Sequence, residues 1–200
     1  MKLSVAILIS GCGSNMAQLV KSMGDKHPAF ASVVISNNSD ALGLKKARDL
    51  GVPTEIIDSN FLKKNGLDFE TELIKILKDY NVEIICLAGF MKVLSKKFID
   101  NFKDRILNIH PSLLPKYKGL NTHARALEAN DPTAGCTVHL VTPKLDGGLI
   151  LAQSEVEIQK NETVKSLASK VLIEEHKLYP KVLLNFSNQI IESAGADNCT

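Results

Sequence analysis

Residues Leu3 to Ile9 read Leu-Ser-Val-Ala-Ile-Leu-Ile, apolar at every position but one. An apolar run this short and this unbroken suits a β-strand covered on both faces, which is the situation inside a parallel sheet. It is too short to cross a bilayer. It also runs straight into Gly11-Cys12-Gly13 without a cleavage-type site, so a strand is expected rather than a signal peptide. After the glycines, Met16, Leu19, Val20 and Met23 fall at helical spacing, with Gly24 placed to end the helix. Strand, glycine turn, helix is the first unit of an open α/β fold.

The alternation continues. Ala31 to Ile35 reads as a second strand, Ala41 to Leu50 as a helix stopped by Gly51, and Thr54 to Ile57 as a short third strand. Phe69, Leu73, Ile76, Leu77 and Tyr80 form a helical stripe with Asp68 as its N-cap. Glu83 to Ala88 is a fourth buried strand and Arg105 to Ile109 a fifth. Thr122 to Ala129 follows as a short helix. Gly135 to Thr142 alternates polar and apolar, as a half-exposed or antiparallel strand does, and Leu149 to Ile158 is the seventh strand. A long amphipathic helix starts near Glu162 and is expected to kink at Pro180. No repeat, linker or composition break interrupts the chain. The expectation is one domain over residues 1–192 and a small polar tail, 193–200, that frays. The fold class is α/β: an open, mostly parallel twisted sheet of about seven strands flanked by helices.

At 200 residues, 44% apolar and 23% charged, the chain can bury a full core. A net charge of +2 points to neither nucleic acid nor membrane, and short pairs such as Lys63-Lys64 and Lys96-Lys97 are ordinary solvated charge. The four cysteines (Cys12, Cys86, Cys136, Cys199) are scattered without Cys-x-x-Cys pairing, which fits a reducing cytoplasm better than a disulfide framework. His27, His110, His123, His139 and His176 lack His-Glu-x-x-His spacing, so no metal site is expected.

Four stretches carry chemistry. Gly11-Cys12-Gly13-Ser14-Asn15 offers backbone N–H groups at a helix N-terminus, a natural seat for a phosphate. It lacks the Gly-Lys-Ser/Thr ending of a P-loop. It also lacks the third glycine of a dinucleotide fingerprint, and the second strand ends in Ser36-Asn37-Asn38 rather than an acidic ribose ligand. A small phosphate ester is favoured over NAD. Gly89-Phe90-Met91-Lys92-Val93-Leu94 leaves the carboxyl end of the fourth strand, where open α/β sheets bind ligands; it is either a lid on the core or one wall of a pocket for a flat ring system. Asn108 and His110, two apart at the end of the fifth strand, leave on the same face before Pro111-Ser112-Leu113-Leu114-Pro115 breaks regular structure. An amide and an imidazole together suit a reaction that develops charge on a carbonyl oxygen. On their own, an Asn in a turn and a His under a proline-rich loop would be the more economical reading. Leu145-Asp146-Gly147-Gly148 adds one carboxylate on a mobile turn.

In order and in residues, Ile9-Ser10-Gly11-Cys12-Gly13-Ser14-Asn15, Leu87-Ala88-Gly89-Phe90-Met91, Asn108-Ile109-His110-Pro111-Ser112-Leu113-Leu114-Pro115 and Leu145-Asp146-Gly147-Gly148 resemble the phosphoribosylglycinamide formyltransferase family, within the folate-dependent formyltransferase superfamily. The resemblance spans nearly the whole chain and implies a Rossmann-like formyltransferase fold. The activity it implies is transfer of a formyl group from 10-formyltetrahydrofolate to 5-phosphoribosylglycinamide in de novo purine synthesis, in the cytoplasm, without metal. Neither nucleic acid nor membrane is implied as a partner, and monomer and homodimer are both compatible with it. Carried over by position, Gly13, Ser14 and Asn15 would hold the ribose phosphate and Glu175 would touch the glycinamide. Met91, Lys92, Val93 and Leu94, with Asn108, would line the folate site, and Asn108, His110 and Asp146 would be catalytic. Lys64 is the nearest basic residue to the position, here Gly66, that would meet the folate glutamate tail. Lys92 stands where Arg is frequent, Cys12 where Asn is sometimes seen, and Asn121 where some relatives have His.

The trio implies a mechanism. An amine attacks the formyl carbon, and Asn108 and protonated His110 donate to the developing oxyanion, one such donor typically supplying ~3–4 kcal/mol. A carboxylate beside His110 favours the charged ring, and His110 is the source of the proton the folate nitrogen takes up. Two alternatives stay open: a formyltetrahydrofolate hydrolase, expected to carry an extra N-terminal domain, and a non-catalytic sugar-phosphate-binding module using only the glycine turn. Methionyl-tRNA formyltransferase shares Ser-Leu-Leu-Pro but is expected to carry a C-terminal tRNA-binding domain.

Overall fold

The computed structural model describes residues 2–58, 62 and 66–197. Among them seven strands and six helices follow one another: β1 (Leu3–Ile9), α1 (Ser14–Ser22), β2 (Ala29–Ser36), α2 (Leu42–Asp49), β3 (Thr54–Ile56), α3 (Phe69–Asp79), β4 (Ile84–Leu87), α4 (Lys96–Asn101), β5 (Ile106–His110), α5 (Thr122–Glu128), β6 (Thr133–Leu140), β7 (Ile150–Glu157) and α6 (Val164–Asp197). The strands form a sheet in the order β3-β2-β1-β4-β5-β6-β7. The chain divides into two compact units, Met1–Lys92 with Pro180–Thr200, and Val93–Tyr179.

The first unit holds the parallel strands. β1 pairs with β2 on one side and β4 on the other, and β2 pairs with β3, every pair parallel. All seven residues of β1 are buried, as its apolar run demands. Met16 and Leu19 of α1, Leu44 and Ala47 of α2, and Leu73 and Leu77 of α3 are likewise buried. Fully burying each such Leu or Met stabilises the fold by roughly 1.5–3 kcal/mol. Asp68 caps α3 as its sequence position predicts, its carboxylate accepting from the Thr71 amide at 2.9 Å. That bond satisfies one of the amides a helix start leaves without an intrahelical partner.

The second unit is antiparallel. β5 pairs with β6 and β6 with β7, setting Asn108 opposite His139, His110 opposite Thr137, and Thr137 opposite Gln153. The alternation of β6 therefore reports an antiparallel strand, although its bounds lie two residues earlier than the pattern suggested. Helix α4 had no counterpart in the sequence reading, because six residues are too few to display a 3.6-residue period. Its signal is Ser95, whose hydroxyl accepts from the Phe98 amide at 3.1 Å, followed by the buried pair Phe98 and Ile99.

α6 is continuous through Pro180 and runs on to Asp197, into the segment expected to fray. Tyr179, fully buried, donates from its hydroxyl to the Leu107 carbonyl at 3.1 Å. Among the described residues no helix is long and apolar enough to cross a membrane.

Candidate active site

In the first unit the turn after β1 is shaped by close backbone approach. Gly13 has φ +66°, and a Cβ there would lie 2.7 Å from the Gly43 Cα. Only glycine combines that dihedral with that proximity. α2 grips the turn from the side: the Gly43 amide donates to the Gly11 carbonyl at 3.0 Å, and the Lys46 ammonium donates to the Cys12 carbonyl at 2.8 Å. Gly13 thereby becomes the N-cap of α1, and the amides of Ser14 and Asn15 belong to its first turn. A helix start of this kind concentrates N–H donors and positive potential.

Ser10 ties this turn to the segment after β4. Its hydroxyl donates to Asn37 Oδ1 at 2.7 Å and accepts from the Met91 amide at 2.8 Å, while its own amide donates to the Gly89 carbonyl at 3.1 Å. Met91 is 71% exposed. The Lys92 ammonium sits 4.6 Å from the centroid of the Phe69 ring, which in turn stacks on Phe90. In the second unit Val93 is 77% exposed and Leu94 is buried. Lys64 lies outside the described residues.

The chemistry-bearing cluster lies wholly within the second unit. His110 is buried, with Nδ1 3.5 Å from Asp146 Oδ2 and Nε2 3.0 Å from the Tyr117 carbonyl. Both partners can only accept, so the ring is placed to carry a proton on either nitrogen. Asp146 is held in turn. Its Oδ2 accepts from the Gly119 amide at 2.8 Å, and its backbone takes the left-handed region, φ 44°, that Asp tolerates better than most residues. Asn108, half-buried, has its Nδ2 3.2 Å from His139 Nε2, while His139 Nδ1 lies 2.8 Å from the Leu140 carbonyl.

Asp146 Oδ1 also stands 3.7 Å from His139 Nε2, a distance that would make an ion pair of a protonated ring. Burial holds the His139 ring well below the usual histidine range; the Leu140 carbonyl and Asp146 pull the other way, and His110 and Lys118 add to the lowering. Burial thus favours the neutral His139 ring, and among the described residues the other ring within ion-pair distance of Asp146 is His110, at 3.5 Å.

The proline-rich loop is pegged from β6. The Thr137 hydroxyl donates to the Ser112 carbonyl at 2.6 Å and accepts from the Leu114 amide at 3.0 Å. Gln153 Nε2 donates to the Thr137 hydroxyl and to the Leu114 carbonyl, both at 2.9 Å. The Leu114–Pro115 peptide is cis. A cavity of about 340 Å³ opens beneath this loop, lined by Leu113, Pro115, Tyr117 and His123 among others. Burial, and secondarily His110, lowers the pKa of His123.

Glu175, on α6, is buried. Burial first, then Glu175 and Glu174, pushes the Cys136 thiol up to about 12, so it is inert as a nucleophile. Among the described residues no group of three His, Cys, Asp or Glu side chains is placed to hold a metal ion.

The structure thus brings Asn108, His110 and Asp146 together, and places Gly13, Ser14 and Asn15 at one helix start. Sequence reasoning missed His139, Thr137, Gln153 and the backbone of Tyr117 and Gly119. His139 alone had a visible signal, a histidine on an alternating strand, but its partner depends on the pairing of β5 with β6.

An alternating α/β chain with a glycine turn after its first strand and an Asn/His/Asp cluster at its fifth defines a Rossmann-like enzyme of the group-transfer type. The sequence profile described as formyl transferase matches residues 3–183, and the chain belongs to that family. Human trifunctional purine biosynthetic protein adenosine-3 is 42% identical over 183 residues, 91% of this chain and 18% of that protein. The chain thus spans less than a fifth of the length of that relative. Phosphoribosylglycinamide formyltransferase of Escherichia coli K12 is 39% identical over 188 residues, 93% of this chain and 88% of that enzyme. Among solved structures, phosphoribosylglycinamide formyltransferase from Brucella melitensis superposes with a TM-score of 0.87 at 44% identity, covering 94% of this chain and 96% of that one. The Coxiella burnetii enzyme gives 0.88 at 40% identity, over 94% and 89%.

Proposed function

We propose that this chain transfers the formyl group of 10-formyltetrahydrofolate to the amino group of 5-phosphoribosylglycinamide, giving formylglycinamide ribonucleotide and tetrahydrofolate in purine biosynthesis. Family membership and the full-length bacterial relatives support the reaction class. The observation that carries the mechanism is His110, with a carboxylate 3.5 Å from one nitrogen and a replaceable carbonyl acceptor 3.0 Å from the other.

The reaction moves two protons in opposite senses: the attacking amine loses one and the folate nitrogen gains one as its bond to the formyl carbon breaks. A residue able to hold a proton is what such a sequence needs. His110 Nε2 exchanges the Tyr117 carbonyl for the formyl oxygen as charge develops there, with Asp146 stabilising the ring's positive charge. Asn108 donates to the same oxygen. The first-turn amides of Ser14 and Asn15, with Gly13 making the approach possible, bind the phosphate. Met91, Lys92, Val93 and Leu94 serve the folate ring system; the exposure of Met91 and Val93 supports a surface that a ligand covers, while buried Leu94 acts as support beneath it. Glu175 contacts the glycinamide, and Lys64 meets the folate glutamate tail.

The test is the absorbance change on conversion of 10-formyltetrahydrofolate, with and without phosphoribosylglycinamide and with no metal or ATP. Turnover that depends on the acceptor supports the reading. Formate release without the acceptor would make the chain a hydrolase, and phosphate-ester binding without turnover a binding module.

A further inference from the structure

A carboxamide is a donor on one side and an acceptor on the other, so Asn108 serves a developing oxyanion only if its amide is held the right way round. Asn108 of β5 and His139 of β6 are direct cross-strand partners. The His139 ring is 2% exposed and is pinned at both nitrogens. Its Nδ1 faces the Leu140 carbonyl, which can only accept, so Nδ1 carries the hydrogen of the neutral ring and Nε2 presents a lone pair. An atom 3.2 Å from that lone pair must be a donor, which makes it the Asn108 nitrogen and not its oxygen.

We propose that His139 is a positioning residue for formyl transfer: the Leu140 carbonyl sets its tautomer, and its Nε2 takes one Asn108 N–H, fixing the amide so that the second N–H is held for the formyl oxygen. The inference rests on the formyl-transfer reading above. A protonated ring would donate at Nε2, demand the Asn108 oxygen instead and turn the amide over. The groups facing the ring decide against that state. Asp146, from the turn after β6, favours protonation; His110 on β5, Lys118 from the segment before α5, and burial itself oppose it. The same neutrality keeps Asp146 paired with His110 rather than drawn to His139.

The experiment is a double-mutant cycle. His139→Leu removes the acceptor at similar volume, and His139→Gln keeps one, since the Gln amide oxygen can accept from Asn108. Each is made in the wild-type and the Asn108→Ala backgrounds, with thermal melting as the folding control. In the wild-type background His139→Leu is expected to lower kcat about 10- to 100-fold with little change in either KM, the scale of a misplaced catalytic group. His139→Gln is expected to recover most of that loss. In the Asn108→Ala background the same Leu substitution is expected to change kcat by less than about threefold, because the residue it positions is gone.

Equal losses in both backgrounds would overturn the proposal, as would a loss confined to KM or a Gln variant no better than Leu. Nitrogen NMR of the wild-type ring needs no variant: a protonated Nδ1 and a bare Nε2 at neutral pH are expected, and a protonated Nε2 refutes the assignment. Absence of acceptor-dependent turnover in the wild type would strike down the formyl-transfer reading itself, whereas wild-type turnover with additive losses removes only the role of His139.

Discussion

Asp146→Asn isolates the charge that His110 is proposed to need. The carboxylate oxygen lies 3.5 Å from Nδ1, and the two side chains are only 7% and 9% exposed, so water screens the pair little. Two unit charges at that separation attract by ~5 kcal/mol at an effective dielectric of about 20. Asparagine keeps an oxygen for the Gly119 amide, now at 2.8 Å, and tolerates the φ of 44° at this position, so the turn itself should survive. What is lost is the part of the attraction that grows as His110 takes up charge in the transition state. That places the fall in kcat at roughly 100- to 1,000-fold, about 3–4 kcal/mol on the barrier. The assay is steady-state turnover by folate absorbance at saturating concentrations of both substrates, with a melting curve to show that the fold is intact. A kcat within about tenfold of wild type, or a loss that appears only in KM, would refute the assignment of Asp146 as the partner of the charged ring.

Thr137→Val keeps the shape of a fully buried side chain but deprives the Ser112 carbonyl, the Leu114 amide and Gln153 of their common partner; a loss of about 2–3 kcal/mol in urea unfolding is expected, and a neutral result would refute the peg. Gly13→Ala forces φ +66° on a residue with a Cβ and sets that Cβ 2.7 Å from Gly43. KM for the phosphorylated acceptor should rise at least about tenfold, on the order of 1–2 kcal/mol from the dihedral alone, while KM for the folate changes little; an unchanged acceptor KM would show that the turn does not seat the phosphate. Burial lowers the pKa values of His27, His123, His139 and His176 below the ordinary histidine value of 6.5. The unfolded chain therefore takes up their protons first, so stability is full above about pH 6.5 and declines as pH falls through that value toward the lower folded-state values. Urea midpoints should be level from about pH 8 to 7 and fall between about pH 6.5 and 5; a midpoint that held or rose on acidification would contradict it.

Much of the architecture is written locally. Leu3–Ile9 suited a doubly covered strand, because a short apolar run that leads into a glycine turn has no wet face to offer. The Asp68 cap was legible because its bond reaches only three residues along the chain. The same holds for the glycine turn, whose meaning lies in successive amides at one helix start. Asn108 and His110 shared a face by strand geometry, and the order of the four motifs, rather than any one of them, pointed to formyl transfer.

The rest depended on pairing between distant segments. That Asp146 meets His110 follows from the turn after β6 folding back beside β5, and no spacing in the chain encodes a 3.5 Å approach across that distance. α4 escaped notice because six residues hold less than two turns of periodic signal. His139 looked like one more isolated histidine until β5–β6 register set it opposite Asn108, and Thr137 and Gln153 looked like ordinary polar strand residues until they were found under the proline loop. Local preference chooses helix, strand and turn because those choices are settled by neighbours within a few residues. Which side chain faces which across a sheet is settled by register, and it was register that gave the histidine at position 139 its tautomer and the amide at position 108 its direction.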